Sequence, residues 1–173
     1  MEPVNKRITG YWSAIGLIIM AVFPGFSLAQ DGTYAVRLMT PEAALKAAQG
    51  ALAKCRADGY QVTVAVVDRS GIVQVLLRDR FAGPHTPDMA ISKAWTAVSF
   101  RTNTTPLAEE TQAGRVMSGV RYRPGVAAVG GGRIIEAAGT LLGGIGVSGA
   151  PGGDRDDACA DAGIAAIRDA IEF

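Results

Sequence analysis

Two strand-like runs joined by a tight turn constrain the fold of this chain more than any other feature of its sequence. Apolar and β-branched residues dominate 62–68 and 72–78. Between the two runs, Asp68-Arg69-Ser70-Gly71 has Asp first and Gly last, as a type I turn prefers. Because so short a turn joins only antiparallel neighbours, the pattern predicts a β-hairpin and excludes a purely parallel sheet.

Helical periodicity flanks this hairpin on both sides. Three Thr-Pro pairs and one Asp-rich segment have the composition of helix N-termini, and apolar residues at helical spacing follow each of them. The pattern predicts four helices: from Pro41 to about Gly59, from Thr86, from Thr105, and from about 154 to 171. Three more strands are predicted at 126–129, 133–137 and 141–148, the first two as a hairpin around Gly130-Gly131-Gly132. The predicted order is α-ββ-αα-βββ-α, an α/β (α+β) fold in which helices cover an antiparallel sheet.

The first 29 residues have the pattern of a secretory signal peptide. Lys6 and Arg7 precede an apolar stretch at 14–23, and Ser27-Leu28-Ala29 offers the small residues that a signal peptidase recognises, which predicts cleavage before Gln30. A transmembrane anchor is the alternative, but the stretch is far shorter than the ~20 residues that a span needs. We therefore expect a periplasmic or secreted product, residues 30–173, with no membrane segment after cleavage.

Composition narrows the function classes. A chain of 173 residues that is 49% hydrophobic suits one packed domain. Loss of Lys6, Arg7 and Glu2 with the signal would leave equal numbers of basic and acidic side chains, which argues against a dedicated nucleic-acid binder. With one histidine in the chain, a single subunit cannot build a His-rich zinc site.

Cys55 and Cys159 lie near the end of the first predicted helix and the start of the last one. Outside the cytoplasm, thiols tend to be oxidised, so the two could form a disulfide if these helices pack antiparallel. The alternative is a pair of buried free thiols that act as small hydrophobic groups. The sequence leaves both open, because it does not give the distance between the two Cα atoms.

Two segments match binding motifs, one for dinucleotides and one for metals, but their sequence context favours a structural role. Residues 144–149 fit the dinucleotide pattern GxGxxG, but the remaining chain is too short for the second parallel strand of a Rossmann unit. These glycines are better explained by close packing of another backbone segment. Asp154, Asp156 and Asp157 crowd a helix start, where acidic side chains complement the helix dipole more often than they bind a metal.

The loop at 78–88 combines cations, an aromatic ring, turn residues and the chain's one histidine, His85. Neutral imidazole binds iron and other transition metals well, and amides at a helix N-terminus attract anions. Alternatively, His85 only hydrogen-bonds the backbone of a well-formed turn. Lys93 follows on the same helix and is expected away from its apolar face.

A second cationic stretch contains Arg115, Arg121 and Arg123. It is either a solvated loop or a contact for propionate or phosphate groups.

Three segments together resemble the GlcG/HbpS family, which is related to the C-terminal domain of PduO-type proteins. They are the strand-turn-strand at 64–78, the run Arg80-Phe81-Ala82-Gly83-Pro84-His85-Thr86 with the helix that follows it, and the glycine-rich 143–149 followed by Asp154. The resemblance runs from about Met39 to the end. It implies a profilin-like fold with a five-stranded antiparallel sheet, assembly into homo-oligomers, and haem as the ligand, with haem or redox sensing and haem degradation among the family's associated functions.

The leading hypothesis is an exported haem-binding protein. His85, or failing it Thr86, would approach the iron, and Phe81 and Met89 would contact the ring. Arg80, Lys93 or an arginine of another subunit would pair with the propionates, in a pocket at the surface or a subunit seam. The sequence does not predict dedicated catalysis, although weak peroxidase-like or haem-degrading activity stays open. The alternatives are an oligomeric binding protein, or an enzyme acting on another small anionic metabolite.

Overall fold

The hairpin at the centre of the chain forms as its turn chemistry predicts. In the computed structural model, which describes residues 32–172, strand β1 (Thr63–Asp68) pairs antiparallel with β2 (Val73–Arg78). The Asp68 carboxylate accepts hydrogen bonds from the amides of Ser70 (2.8 Å) and Ile72 (2.9 Å), and Gly71 has a φ of 81°, which glycine adopts without strain.

Two further strands complete an antiparallel sheet of four strands in the described residues. They are β3 (Gly132–Ala137) and β4 (Thr140–Ser148), and the strand order is β2-β1-β4-β3. Mixed α/β architecture is confirmed, but the fifth strand expected at 126–129 is wrong. The backbone there bonds to helix α2 instead, since the amide of Ala127 donates to the Thr96 hydroxyl (2.9 Å).

Helices cover both faces of the sheet. They are α1 (Pro41–Ala57), α2 (Thr86–Phe100), α3 (Thr104–Glu110), α4 (Gly153–Ala165) and α5 (Arg168–Ile171), and a 3-10 turn spans Ser118–Tyr122. Thr40 caps α1 by accepting a hydrogen bond from the amide of Ala43, with Pro41 in the first turn, as predicted. The single last helix expected at 154–171 is divided, because the amide of Ile167 bonds back to Ile164 and tightens the turn.

The main core lies between α1, α4 and one face of the sheet. Val64 and Val66 of β1 and Ile145 and Val147 of β4 point into it and are fully buried or nearly so. Helix α2 lies on the other face, where Val67 packs with Ala94 and Val98. From Ala35 on, the chain forms one compact unit.

A disulfide joins the two helices of the main core. Cys55 of α1 and Cys159 of α4 are bonded, with 5.5 Å between their Cα atoms. Of the two possibilities that the sequence leaves open, the structure has the bridged one.

The glycine-rich segment of β4 is a packing surface, as its context predicts. Gly144 and Gly146 face α2, and a Cβ on Gly144 would lie 2.7 Å from a methyl of Val98 and 3.0 Å from the carbonyl of Ala94. A Cβ on Gly146 would overlap the Ala90 carbonyl. The absence of side chains therefore lets the backbone of α2 lie directly against the strand.

Within residues 32–172, no helix is both long and apolar enough to cross a membrane. The predicted signal peptide at 1–29 lies outside the described residues.

Candidate functional site

The loop before α2 is fixed to the body of the domain at its first residue. Asp79 is buried, its amide donates to the Val62 carbonyl (3.0 Å), and its carboxylate accepts hydrogen bonds from Arg56 of α1. The hydrogen bond to Asp79 raises the pKa of Arg56 above its ordinary value. Because this anchor is tertiary, the loop enters α2 along a defined path.

A chain of hydroxyl groups fixes the loop at its other end. The Thr86 hydroxyl donates to the Gly83 carbonyl (2.7 Å), so the Thr63 hydroxyl, 2.7 Å from it, is the donor in the bond between the two threonines. Thr63 belongs to β1, and both threonines are almost fully buried. The hydroxyl of Thr86 therefore faces the interior rather than the loop surface.

His85 itself is exposed at the start of α2. Its ring lies against Gly83, where an added Cβ would come within 2.8 Å of Cε1 and 3.0 Å of Nδ1. Neither ring nitrogen bonds to another residue of the described part of the chain. The alternative in which the imidazole only hydrogen-bonds the backbone of the turn therefore finds no support in the described residues, and the role of His85 as a metal ligand stays a prediction.

An open cleft of about 370 Å³ adjoins the histidine. One wall is the exposed face of α2, since residues three, four and seven positions beyond His85 share its side of the helix. The opposite wall is the irregular segment 125–129, which Thr96 holds through Ala127. The lining residues are His85, Asp88, Met89, Ser92, Gly125, Val126, Ala127 and Val129.

Arg80 and Phe81 lie on the loop surface outside this lining. The Phe81 side chain is 77% exposed, and the guanidinium of Arg80 stacks over its ring at 5.8 Å from the centroid. The structure thus brings Met89 and His85 to one cleft and leaves Arg80 and Phe81 outside its lining.

Lys93 does not lie where the sequence analysis expects it. The expectation of a side chain away from the apolar face is wrong, because Lys93 is 3% exposed and points into the interior. Its ammonium group donates to the Val147 carbonyl (2.9 Å) and forms an ion pair with Asp156 (2.7 Å). Any ligand carboxylate would have to displace Asp156 to reach it.

The acidic residues at the start of α4 hold the interior together. Asp156 also accepts from the Ala150 amide (3.0 Å), and burial raises its pKa above the ordinary value despite the attraction of Lys93. Asp157 accepts from the amide of Gly131 (2.6 Å). Consistent with this, the described residues contain no cluster of three His, Cys, Asp or Glu side chains suited to a metal ion.

The second cationic stretch has two different roles. Arg121 is bound to the chain, donating to the carbonyl of Thr111 (2.6 Å) and to that of Ala108 (2.5 Å). Arg123 instead stacks on Trp95, with its Cζ atom 5.2 Å from the ring centroid. Sequence reasoning missed the cleft wall at 125–129, since its apolar residues also fit a strand and only the Thr96 contact distinguishes the two.

A family model described as haem degrading protein HbpS-like matches residues 39–165. A relative among characterised proteins is the corrinoid adenosyltransferase PduO of Citrobacter freundii, 36% identical over 116 residues, which are 65% of this chain and 34% of PduO. The chain thus spans about a third of the length of the curated relatives it matches.

Two solved structures are similar over most of their length. A double mutant of HbpS from Streptomyces reticuli is 34% identical with a TM-score of 0.73, over 94% of this chain and 97% of that one. A PduOC:heme complex is 28% identical with a TM-score of 0.71, over 76% and 96% of the two chains.

Proposed function

The chain belongs to the family described as haem degrading protein HbpS-like, and from this premise we propose that it binds haem in the cleft beside His85, with the imidazole as the ligand to the iron. The observation that carries the proposal is the state of that ring. It is exposed, lines the cleft, and makes no hydrogen bond to another described residue. Imidazole is a common axial ligand of haem iron, and a free ring can coordinate without first breaking an internal contact.

The lining of the cleft suits a flat apolar ring. Met89, Val126, Ala127 and Val129 supply apolar surface on both walls, and a cleft of about 370 Å³ lies within the range of ~300–1,000 Å³ common for ligand sites. A thioether adapts its shape to a ring system. Because the cleft is open, part of a porphyrin would stay exposed or be covered by another subunit, and Phe81 would add contact only at the rim.

Thr86 is the weaker candidate for the iron. Its hydroxyl is buried and already bonded to Thr63 and Gly83. We assign it instead to holding the loop on which His85 stands. Arg80 lies on the loop surface outside the cleft lining and stays a candidate for a propionate contact.

A haem titration of the purified chain tests the proposal. We expect saturable binding with a shifted Soret band, and we expect His85→Gly to weaken binding by at least about tenfold, since a metal ligand is lost. Free imidazole added to His85→Gly should restore the wild-type spectrum. Ser92→Ala, on the same helix face, is the matched control for a change in the cleft lining.

Two outcomes would overturn the assignment. If His85→Gly gives the wild-type spectrum and affinity without imidazole, another residue ligates the iron. If the wild type shows no Soret change with haem but binds a carboxylated metabolite, the alternative of a different small anionic ligand takes its place.

Export and self-association are further parts of the proposal. The disulfide supports a location outside the reducing cytoplasm, as does the signal-like sequence at 1–29. Edge strand β2 presents Val73 and Leu76, both about 40% exposed, which supports a homo-oligomer. Cell fractionation and light scattering of the mature protein test the two points, and a cytoplasmic monomer would contradict both.

Haem degradation, which the description of the family names, is a second candidate function. Bound haem would supply the iron and the redox chemistry. The chain's contribution would be to hold the ring in an open cleft that small molecules can enter. Loss of the Soret band under air with a reductant, at a rate above that of free haem, would support this function.

A further inference from the structure

We propose that Arg123 is the residue that binds a carboxylate of the ligand in the His85 cleft, so that the cleft selects porphyrins with free carboxylate side chains. This inference rests on the proposed function, and it names the positive charge that would orient the ligand in the cleft. It depends on three observations: the position of Arg123, the availability of its charge, and the charge of the opposite wall.

Trp95 links Arg123 to the cleft. The guanidinium stacks on the Trp95 ring at 5.2 Å from the centroid, and the same ring lies 3.9 Å from where a Cβ of Gly125 would be. Gly125 lines the cleft, and Trp95 follows Ser92 by one helical turn on α2. The Arg123 carbonyl also accepts from the amide of Val126 (3.2 Å), another lining residue. Arg123 is not itself a lining residue, but these contacts place it next to the cleft, beside the 125–129 wall.

The charge of Arg123 is available to a ligand. The one hydrogen bond of its guanidinium within the described residues goes to the neighbouring Pro124 carbonyl (2.8 Å), and no carboxylate of that part of the chain lies within 4 Å of the guanidinium. Stacking on an indole leaves the edge of the planar guanidinium, with its N–H donors, free to face a carboxylate. The guanidinium of Arg121, by contrast, already donates hydrogen bonds to the carbonyls of Thr111 and Ala108.

Asp88 gives the cleft a second, opposite charge. It lines the cleft one turn beyond His85, is exposed, and forms no ion pair with another described residue. A ligand carboxylate would therefore be repelled by Asp88 on the α2 wall and attracted by Arg123 beside the 125–129 wall. This polarity would orient a porphyrin with its propionates toward Arg123 while the iron meets the imidazole.

Haemin and its dimethyl ester, titrated side by side from the same co-solvent, test the inference. The ester keeps the ring and the iron but has no carboxylate charge. We expect Arg123→Gln to weaken haemin binding about fivefold and to change ester binding by less than about twofold. Arg123→Lys should retain most of the haemin affinity, because it keeps the charge. Asp88→Asn should strengthen haemin binding about twofold and leave the ester unchanged.

Controls separate this inference from the proposed function. Arg155→Gln removes an exposed arginine of α4 and should change neither ligand. If the wild type binds neither haemin nor the ester, the haem assignment itself fails. If it binds both through His85 but Arg123→Gln weakens them equally, or if Arg80→Gln and not Arg123→Gln selects against haemin, the role of Arg123 is wrong.

Discussion

At the scale of single residues, the interior ion pair shows how tertiary structure decides the role of a charged side chain. Lys93 and Asp156 are both about 5% exposed or less, and they join α2 to α4 through the end of β4. The pair is costly to break, since removal of either partner leaves the other charge buried without compensation.

Loss of Lys93 should give a stability defect that depends on pH. We expect Lys93→Met to lower the free energy of unfolding by about 3 kcal/mol near pH 7. Burial already raises the pKa of Asp156, and loss of the lysine raises it further. A raised native pKa means that the folded state binds the proton more readily than the unfolded state, so stability falls as pH rises between the two pKa values. The defect should therefore shrink toward pH 5, as urea denaturation at both pH values would measure.

The double variant is the control for that mechanism. With Lys93→Met and Asp156→Asn together, no buried carboxylate remains to titrate, so the extra pH dependence should vanish and part of the stability should return. An equal loss at pH 5 and pH 7 for Lys93→Met alone would contradict the account.

At the level of single residues, the sequence can single out a candidate where a residue type is unique, but not where several residues share the same chemistry. His85 could be singled out because the chain has one histidine. Among the arginines, nothing in the sequence distinguishes Arg121 from Arg123, since their difference comes from contacts with Thr111 and Trp95. Lys93 was misplaced because helical spacing does not reveal a polar contact to a distant strand.

At the scale of elements, the position of α2 follows from missing side chains on β4. Gly144 and Gly146 bring the helix backbone against the strand, and the helix carries His85, Met89 and Ser92 along one wall of the cleft. The placement of α2 therefore also fixes one wall of the proposed haem cleft.

A methyl group at the closest of these contacts should disturb both. We expect Gly146→Ala to cost about 2 kcal/mol or more of stability, since a Cβ there overlaps the Ala90 carbonyl and lies 2.7 Å from the Ala94 amide nitrogen. Haem affinity should fall as well, because α2 must shift. Gly119→Ala, which meets nothing within 4 Å, is the matched control. Unchanged melting and binding in Gly146→Ala would refute the packing argument.

Element boundaries were predictable where local chemistry sets them. The Thr40-Pro41 start of α1 and the Asp68–Gly71 turn need only neighbouring residues. The segment 126–129 has strand composition, yet a single side chain, Thr96, takes the amide of Ala127 that a sheet would have used. The profilin-like fold that the family resemblance implies stays a prediction.

At the scale of the whole molecule, the disulfide closes most of the domain into a loop. Cys55 and Cys159 are separated by 104 positions, so the bridge removes a large share of the unfolded chain's freedom. Small residues let α1 and α4 approach at the same place, where Gly163 meets the Ala47 carbonyl and Ala51.

Removal of the bridge should destabilise the domain without changing its ligand. We expect the Cys55→Ser, Cys159→Ser variant to lose about 4 kcal/mol of unfolding free energy, measured by urea denaturation. The wild type under reducing conditions should behave alike. Haem spectra of the folded variant should match the wild type, as the bridge lies on the opposite side of the sheet from α2; a changed spectrum would contradict this separation.

The two walls of the cleft differ in how they are supported. The α2 wall packs directly against Gly144 and Gly146 of β4 and has no clearance to retreat, whereas the 125–129 wall is held to α2 through the Thr96 hydroxyl. We therefore expect the 125–129 segment to move when the cleft takes up rings of different thickness, which would make Thr96, although it does not line the cleft, a determinant of the range of ring systems that the protein accepts.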